Sequence, residues 1–273
     1  MKLPRILRKV YDEPWLITPP VHRSIQRALE AHLEGINPSL DGLLEDETMG
    51  EYQLDGVSVI PIHGIIGKHL SGLEMACGGC SLDSVDAMID EAAQDPSVRA
   101  VLLDVNSPGG TVTGVPETAA KIAKLAEQKP VIAFTDSEMC SAAYWLASQA
   151  NAIYATQSAT VGSVGVYLAL LDESRALENA GIKVNAISSG KFKLAGAPFK
   201  PLTDDERAMF QAGVTKLHDQ FKAAILSKRN IQAGNLEGQC FDGEEAIDAN
   251  LVDGITSFEE AMMLTAALTK PKD

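Results

Sequence analysis

Residues 131–150 read VIAFTDSEMCSAAYWLASQA. The run Val131 to Phe134 is apolar, as a buried strand requires. A short polar turn follows, Thr135 to Glu138, and then Met139 and Cys140. From Ser141 the order Ala, Ala, Tyr, Trp, Leu, Ala predicts a helix packed on the core. A serine at such a strand-to-helix junction sits beside unpaired backbone N–H groups and a positive helix end, which favour developing negative charge. The same position also suits an ordinary N-cap serine. Two other stretches bear on the choice: Asn106-Ser107-Pro108-Gly109-Gly110 and Gly190-Lys191-Phe192-Lys193.

Outward from this stretch the pattern recurs. Val98 to Val105 is nearly continuous in apolar character, which predicts a strand buried on both faces. It runs into the proline-glycine turn at 106–110, and Val115 to Leu125 then has helical spacing. Upstream, Val57 to Ile66 reads as a strand with a bend at Pro61 and Gly64, followed by a helix capped by Ser81 or Asp83. Downstream, strand material is expected at Ile153–Tyr154, across 162–170 and at Val184–Ile187, with a helix over 172–180. Thr203-Asp-Asp-Glu206 has capping-box spacing and opens a long amphipathic helix to about Ser227. A turn, short helix and return strand fill 241–254, and 258–268 is helical. Recurrent strand-helix units predict an α/β core. Near the N-terminus a helix is expected from Val21 to Leu33, after Pro19 and Pro20, and residues 35–52 are acidic and turn-rich.

The 273 residues suffice for one large domain or two modest ones. A formal net charge of -14 argues against nucleic acid or anionic membrane as the main partner. The basic first ten residues are not followed by a signal-peptide core, and no run is long enough to cross a bilayer, so a cytoplasmic protein is expected. Cys77-Gly-Gly-Cys80 has a spacing used by zinc and redox sites but lacks a second ligand pair, so no metal is expected. Cys140 reads as a small buried side chain rather than a thiol catalyst.

A serine hydroxyl is a poor nucleophile until a base takes its proton. None of the five histidines sits in a serine-triad motif, although His63 and His69 flank the expected groove. A lysine amine serves as base where desolvation or a neighbouring positive charge leaves it neutral. Lys193 follows a strand and a glycine and precedes the apolar loop LAGAP; Lys191, two residues away, is its rival. The N–H of Ala142, just past Ser141, and an N–H from the turn at Gly109-Gly110 would together hold an oxyanion.

NSPGG at 106–110, CSAAYWLAS at 140–148 and SGKFKLAGAPFKPLTDDER at 189–207, in this order, resemble the signal peptide peptidase A family of serine-lysine peptidases. The resemblance extends through VGSVGV at 161–166 and FDGEEAIDANLVDG at 241–254. It implies a ClpP/crotonase-like fold of repeated strand-strand-helix units with helical N- and C-terminal additions. It selects Ser141 as nucleophile and Lys193 as general base. It places Gly109 as the oxyanion partner of Ala142, with Gly110 next, and Ser163 as the group that orients the lysine. It implies neither metal nor other cofactor. Where this family has a small glycine pair after the serine, this chain has Ala142-Ala143.

The opening, DEPWLITPPVHRSIQRALEAHL at 12–33, resembles that of the head maturation proteases of lambda-like phages. That implies an endopeptidase cleaving scaffold, portal or itself, in the host cytoplasm and procapsid interior, as a homo-oligomer without membrane anchor. The expected divisions are a helical arm at 1–35, an acidic linker at 36–52, the peptidase domain at 53–256, and a helix and tail at 257–273. The alternatives are a cytoplasmic peptide-degrading relative, an inactive capsid assembly protein, and an acyl-CoA enzyme of the same fold. The last would leave Ser141 and Lys193 without a joint role.

Overall fold

The computed structural model describes residues 14–18, 21–23, 25–27 and 56–268. In chain order, β1 (Trp15–Ile17) precedes β2 (Val57–His63), β3 (Ile65–Gly67), α1 (Gly72–Ala76), β4 (Gly79–Ser81) and α2 (Leu82–Gln94). Then come β5 (Ala100–Asn106), β6 (Gly109–Thr111), α3 (Val115–Gln128), β7 (Val131–Thr135), β8 (Glu138–Cys140) and α4 (Ala142–Ala147). The chain continues with β9 (Ala152–Ala155), β10 (Thr160–Gly162), α5 (Ser174–Asn179) and α6 (Asp204–Leu226). It closes with β11 (Cys240–Phe241), α7 (Gly243–Asp248), β12 (Gly254–Ile255) and α8 (Phe258–Ala267).

The expected repeat is present as β5-β6-α3 and β7-β8-α4. In each unit the first strand joins one five-stranded sheet, ordered β12-β9-β7-β5-β2 and parallel throughout. The second strand leaves that sheet for a smaller one. β6 lies in the order β1-β6-β3-β4, and β8 in the order β11-β10-β8. Gly64, at φ 88, makes the same break between β2 and β3. The expected single strand over 57–66 is thus divided between two sheets, and its bend falls at Gly64 rather than Pro61.

β5 is buried on both faces, as its continuous apolar run predicts. Val101, Leu103 and Val105 face the main core with α2, α3 and α4. Leu102 faces the other side, where Ala261 and Met262 of α8 cover Val57, Ile132 and Phe134. Phe258 meets Phe134 edge-on at 5.8 Å. The C-terminal helix therefore seals one face of the sheet; without it four apolar side chains would be wet, so a break after 256 divides one packed body.

Within the expected helical arm, residues 15–17 form a strand instead. Its partner is β6, antiparallel, and Trp15 also bridges Tyr167. Residues 21–23 and 25–27 are helical. The remainder of the arm and the acidic linker lie outside the described residues. Val184–Ile187 is not a strand: the segment pairs with none of the sheets and is exposed, Ile187 completely. The region 162–170 adds only the end of β10 and the Tyr167 bridge. The capping box at Thr203 and Glu206 forms as expected and starts α6.

His63 ends β2 on the α8 face of the sheet. Its Nε2 lies 2.9 Å from Asp104 Oδ2. That bond, with the nearby charges of Asp104 and Asp136, raises the His63 pKa above 6.5 against the opposing effect of burial. A raised folded-state value stabilises fully below the unfolded value and is lost as pH climbs through the folded one. His63→Gln should therefore lower the thermal midpoint most below pH 6.5. The gap to wild type should narrow on the alkaline side, in melts taken from about pH 5 to 8.

Candidate active site

β8 ends at Cys140 and α4 begins at Ala142, so Ser141 alone turns the chain from strand to helix. Its φ of 55 and ψ of -116 lie outside the wells that L-residues favour. Such a conformation costs about 1–3 kcal/mol and persists only where the surroundings over-determine it. Here they do. The Ser141 N–H donates to the Gly162 carbonyl at 2.7 Å, and its own carbonyl accepts from the Trp145 N–H at 2.9 Å. All of α4 is buried. Tyr144 donates its hydroxyl proton to the Leu251 carbonyl at 2.8 Å, and Trp145 stacks on Phe221 with centroids 4.6 Å apart. The Ser141 side chain is buried, yet its Oγ has no hydrogen-bond partner.

Gly109 stands beside this hydroxyl. A methyl built on it would lie 3.0 Å from Ser141 Cβ and would collide with the Leu16 carbonyl oxygen. Its φ of 104 adds a second reason for glycine. The Gly109 N–H donates to Ser107 Oγ at 3.2 Å, and that hydroxyl donates to the Gly64 carbonyl at 2.6 Å. Ser107 also accepts from the Cys140 N–H at 3.1 Å and donates its own N–H to the Glu138 carbonyl at 2.7 Å. It thus ties the glycine turn to β8. Sequence reasoning passed over it, although a serine ahead of a proline-glycine turn is the available signal.

Gly110 is fixed between two strands, paired with Leu16 on one side and Ile66 on the other. Thr18 donates its N–H to the Pro108 carbonyl at 3.2 Å. Antiparallel pairs alternate between bonded and non-bonded rungs, so Gly110 and Leu16 form the next bonded rung and the Gly110 N–H faces the Leu16 carbonyl. Of the two glycines, Gly110 thus turns its N–H toward β1, while that of Gly109 is held by Ser107.

Ser163 comes directly after β10. The β8–β10 register opposes Cys140 to Gly162, which brings Ser141 and Ser163 to the same end of the two strands. Ser163 is also at positive φ, 52, with its N–H donating to the Gln239 carbonyl at 2.6 Å. Beside it the Cys240 thiol is lowered from its usual value, first by a thiol hydrogen bond with Cys140 and further by Ser163. Cys140 is pushed up by the same bond and by burial. His218, within α6, is partly buried. Its Nε2 lies 3.1 Å from the Val164 carbonyl and 2.9 Å from that of Leu236, tying α6 to the chain next to Ser163.

Lys193 is not at Ser141. It is exposed, in a turn where its N–H donates to the Gly190 carbonyl at 3.2 Å. Lys191 is held at the surface by Asp205 at 2.6 Å. His63 lies on the opposite face of the main sheet from α4, and His69 is exposed and bound to Asp83, so neither faces Ser141. Cys77 is exposed, whereas Cys80 is buried and its thiol is pushed up to about 12. Among the described residues no three potential metal ligands gather, and no helix is long and apolar enough to cross a membrane.

A strained strand-to-helix turn that presents a serine is also how serine hydrolases carry their nucleophile. The family is narrower. The model of peptidase family S49 matches residues 123–271, and the chain belongs to that family of serine proteases. It is 30% identical to capsid assembly protease C of Escherichia phage lambda, over 95% of this chain and 64% of that protein. It is 32% identical to head-tail preconnector protein GP5 of Enterobacteria phage P21, over 78% of this chain and 43% of that one. Protease 4 of Salmonella typhi is 28% identical, over 71% and 32%. The chain thus spans from 32% to 64% of these relatives' lengths. A solved enoyl-CoA hydratase/isomerase family protein of Silicibacter pomeroyi is similar at TM-score 0.45 and 13% identity, covering 82% and 84%. The repeated strand-strand-helix units described above, not that likeness, carry the ClpP/crotonase-like fold that the resemblance implied.

Tyr144→Phe removes the donor from a buried carbonyl and should cost about 1–3 kcal/mol. Urea unfolding at neutral pH measures it.

Proposed function

We propose that this chain is an endopeptidase in which Ser141 is the nucleophile and Lys193 the base. The observation that carries the reading is the buried, unpartnered Ser141 Oγ on a strained turn, with glycine backbone at its side. A buried hydroxyl without a partner is costly, and such groups recur where a reaction supplies the missing partner. In the proposed step the uncharged Lys193 amine takes the proton as Ser141 Oγ attacks the scissile carbonyl. The oxyanion is held by the N–H groups of Ala142 and Gly110, with Gly109 shaping the turn that presents them. Ser163 orients the amine. The ammonium gives its proton to the leaving amine, and water then frees the acyl group.

Lys193 reaches Ser141 in an assembled form. Its segment carries Ile182, Val184, Ile187 and Phe192 in exposed positions, an apolar ribbon suited to a neighbouring copy. A homo-oligomer in which Lys193 of one copy serves Ser141 of the next satisfies both groups. The relatives named for capsid assembly and for the head-tail preconnector support substrates among capsid scaffold and portal proteins, or the chain itself, within an assembling head.

Co-expression with scaffold and portal candidates, read by intact mass, should yield fragments with wild type and none with Ser141→Ala. Ser141→Ala and Lys193→Ala should each lose peptidase activity by about 10³-fold or more. Mixed and reassembled, the two inactive variants should recover part of it. Continued inactivity of the mixture would show that the dyad forms within one chain.

A further inference from the structure

Strand β1 occupies a place that its sequence does not require. Trp15, Leu16 and Ile17 are all buried, and they lie antiparallel to Gly109–Thr111. On their other side Trp15 and Tyr167 exchange two backbone hydrogen bonds, of 2.9 and 3.2 Å. The strand therefore fills the gap between β6 and Tyr167 with main-chain bonds on both edges. Its Leu16 carbonyl oxygen sits against Gly109, on the side where Ser141 Cβ also makes contact, and faces the Gly110 N–H. That is where the carbonyl of a bound peptide would lie if Ser141 attacks it, so the inference rests on the Ser141 reading. His22 packs its ring on both Trp15 and Tyr167, with centroids 5.0 and 5.4 Å apart, so the short helical stretch that follows holds the strand in place.

Three residues paired by backbone along one edge, the first of them also along the other, mimic an extended peptide ligand. Strand addition of this kind draws affinity from main-chain bonds and specificity from the side-chain sockets. Here the sockets accept large apolar groups, with that of Leu16 sealed completely and joined to the main core.

We propose that residues 15–18 are a displaceable occupant of the substrate groove, a strand of the chain itself that closes Ser141 until an extended apolar peptide takes its place. The groove then selects substrate segments with large apolar residues at the positions of Trp15, Leu16 and Ile17. Expulsion of β1, rather than opening of an empty cleft, precedes cleavage.

The test is a reversible lock. Trp15 and Tyr167 form a bonded antiparallel rung, at a spacing of about 5.5 Å that a disulfide spans. In a Ser141→Ala background, Trp15→Cys with Tyr167→Cys is assayed, oxidised and reduced, for binding a fluorescent peptide of the sequence Pro-Trp-Leu-Ile-Thr. The parent with native cysteines is carried through the same treatment. Reduction should strengthen binding by about tenfold or more, since the locked groove has almost no competent fraction. Leu16→Pro, which removes an N–H from the β1–β6 ladder, should bind more tightly than its parent. Equal binding to locked and reduced protein, or binding to neither, overturns the proposal. A fluorophosphonate applied to the same pair with Ser141 intact separates the two readings. Peptide exchange without any labelling leaves the self-occupied groove standing and removes Ser141 as nucleophile. Equal labelling of locked and reduced protein keeps Ser141 and removes the groove proposal.

Discussion

One backbone hydrogen bond organises the centre of this molecule. The Ser141 N–H donates to the Gly162 carbonyl, at the point where β8 and β10 run out together. It pulls the chain out of line at the one residue between strand and helix. Everything nearby serves to keep that turn from relaxing. α4 is buried on all sides, Tyr144 anchors it to Leu251, and Phe221 of α6 presses on Trp145. A helix of six residues would not hold by its own propensity, since isolated helices need about 12–15 residues even to be marginal. Tertiary packing stabilises it, and the strain at Ser141 is carried by that packing.

The glycine turn shows the complementary constraint. Around Gly109 and Gly110 three strands approach so closely that a methyl would strike a carbonyl oxygen of Leu16 or Ile66. Ser107 supplies the polar fastening, one hydroxyl shared between the turn and the end of β2. The serine and the glycines are therefore placed by backbone geometry, with few side chains involved. Precision here comes from register, which packing on both faces of the main sheet makes hard to slip.

Local pattern made the core elements legible. The continuous apolar run of β5, the recurrence at β7 and α4, and the capping box of α6 each announce themselves within a dozen residues. The serine and glycine motifs were legible as positions, and the structure brings Ser141, Gly109, Gly110 and Ser163 to one place. What could not be read depends on distant partners. β1 is three residues between prolines, and its partner lies some ninety residues on, so no periodicity reveals it. Val184–Ile187 has the composition of a strand but joins no sheet. His63 looked as near the groove as any histidine, because only the alternation of β2 against β5 puts it behind the sheet. Lys193 was legible as a residue type. Where it sits relative to Ser141 belongs to tertiary arrangement, which no local pattern records.

The helix α8 has a consequence for how the chain comes to be made. Its side chains close the face of a sheet whose strands begin at Val57 and are complete through β7 by Thr135. More than a hundred residues separate those strands from their cover. During synthesis, at roughly 5–20 residues per second, Leu102, Ile132 and Phe134 stay uncovered for many seconds after they leave the ribosome. The α4 side waits almost as long, because Phe221 and Leu251 complete its packing, so both faces of the early strands stay open to chaperones or mispairing until the last fifth of the chain emerges. The nascent protein is thus vulnerable on the face that α8 closes last.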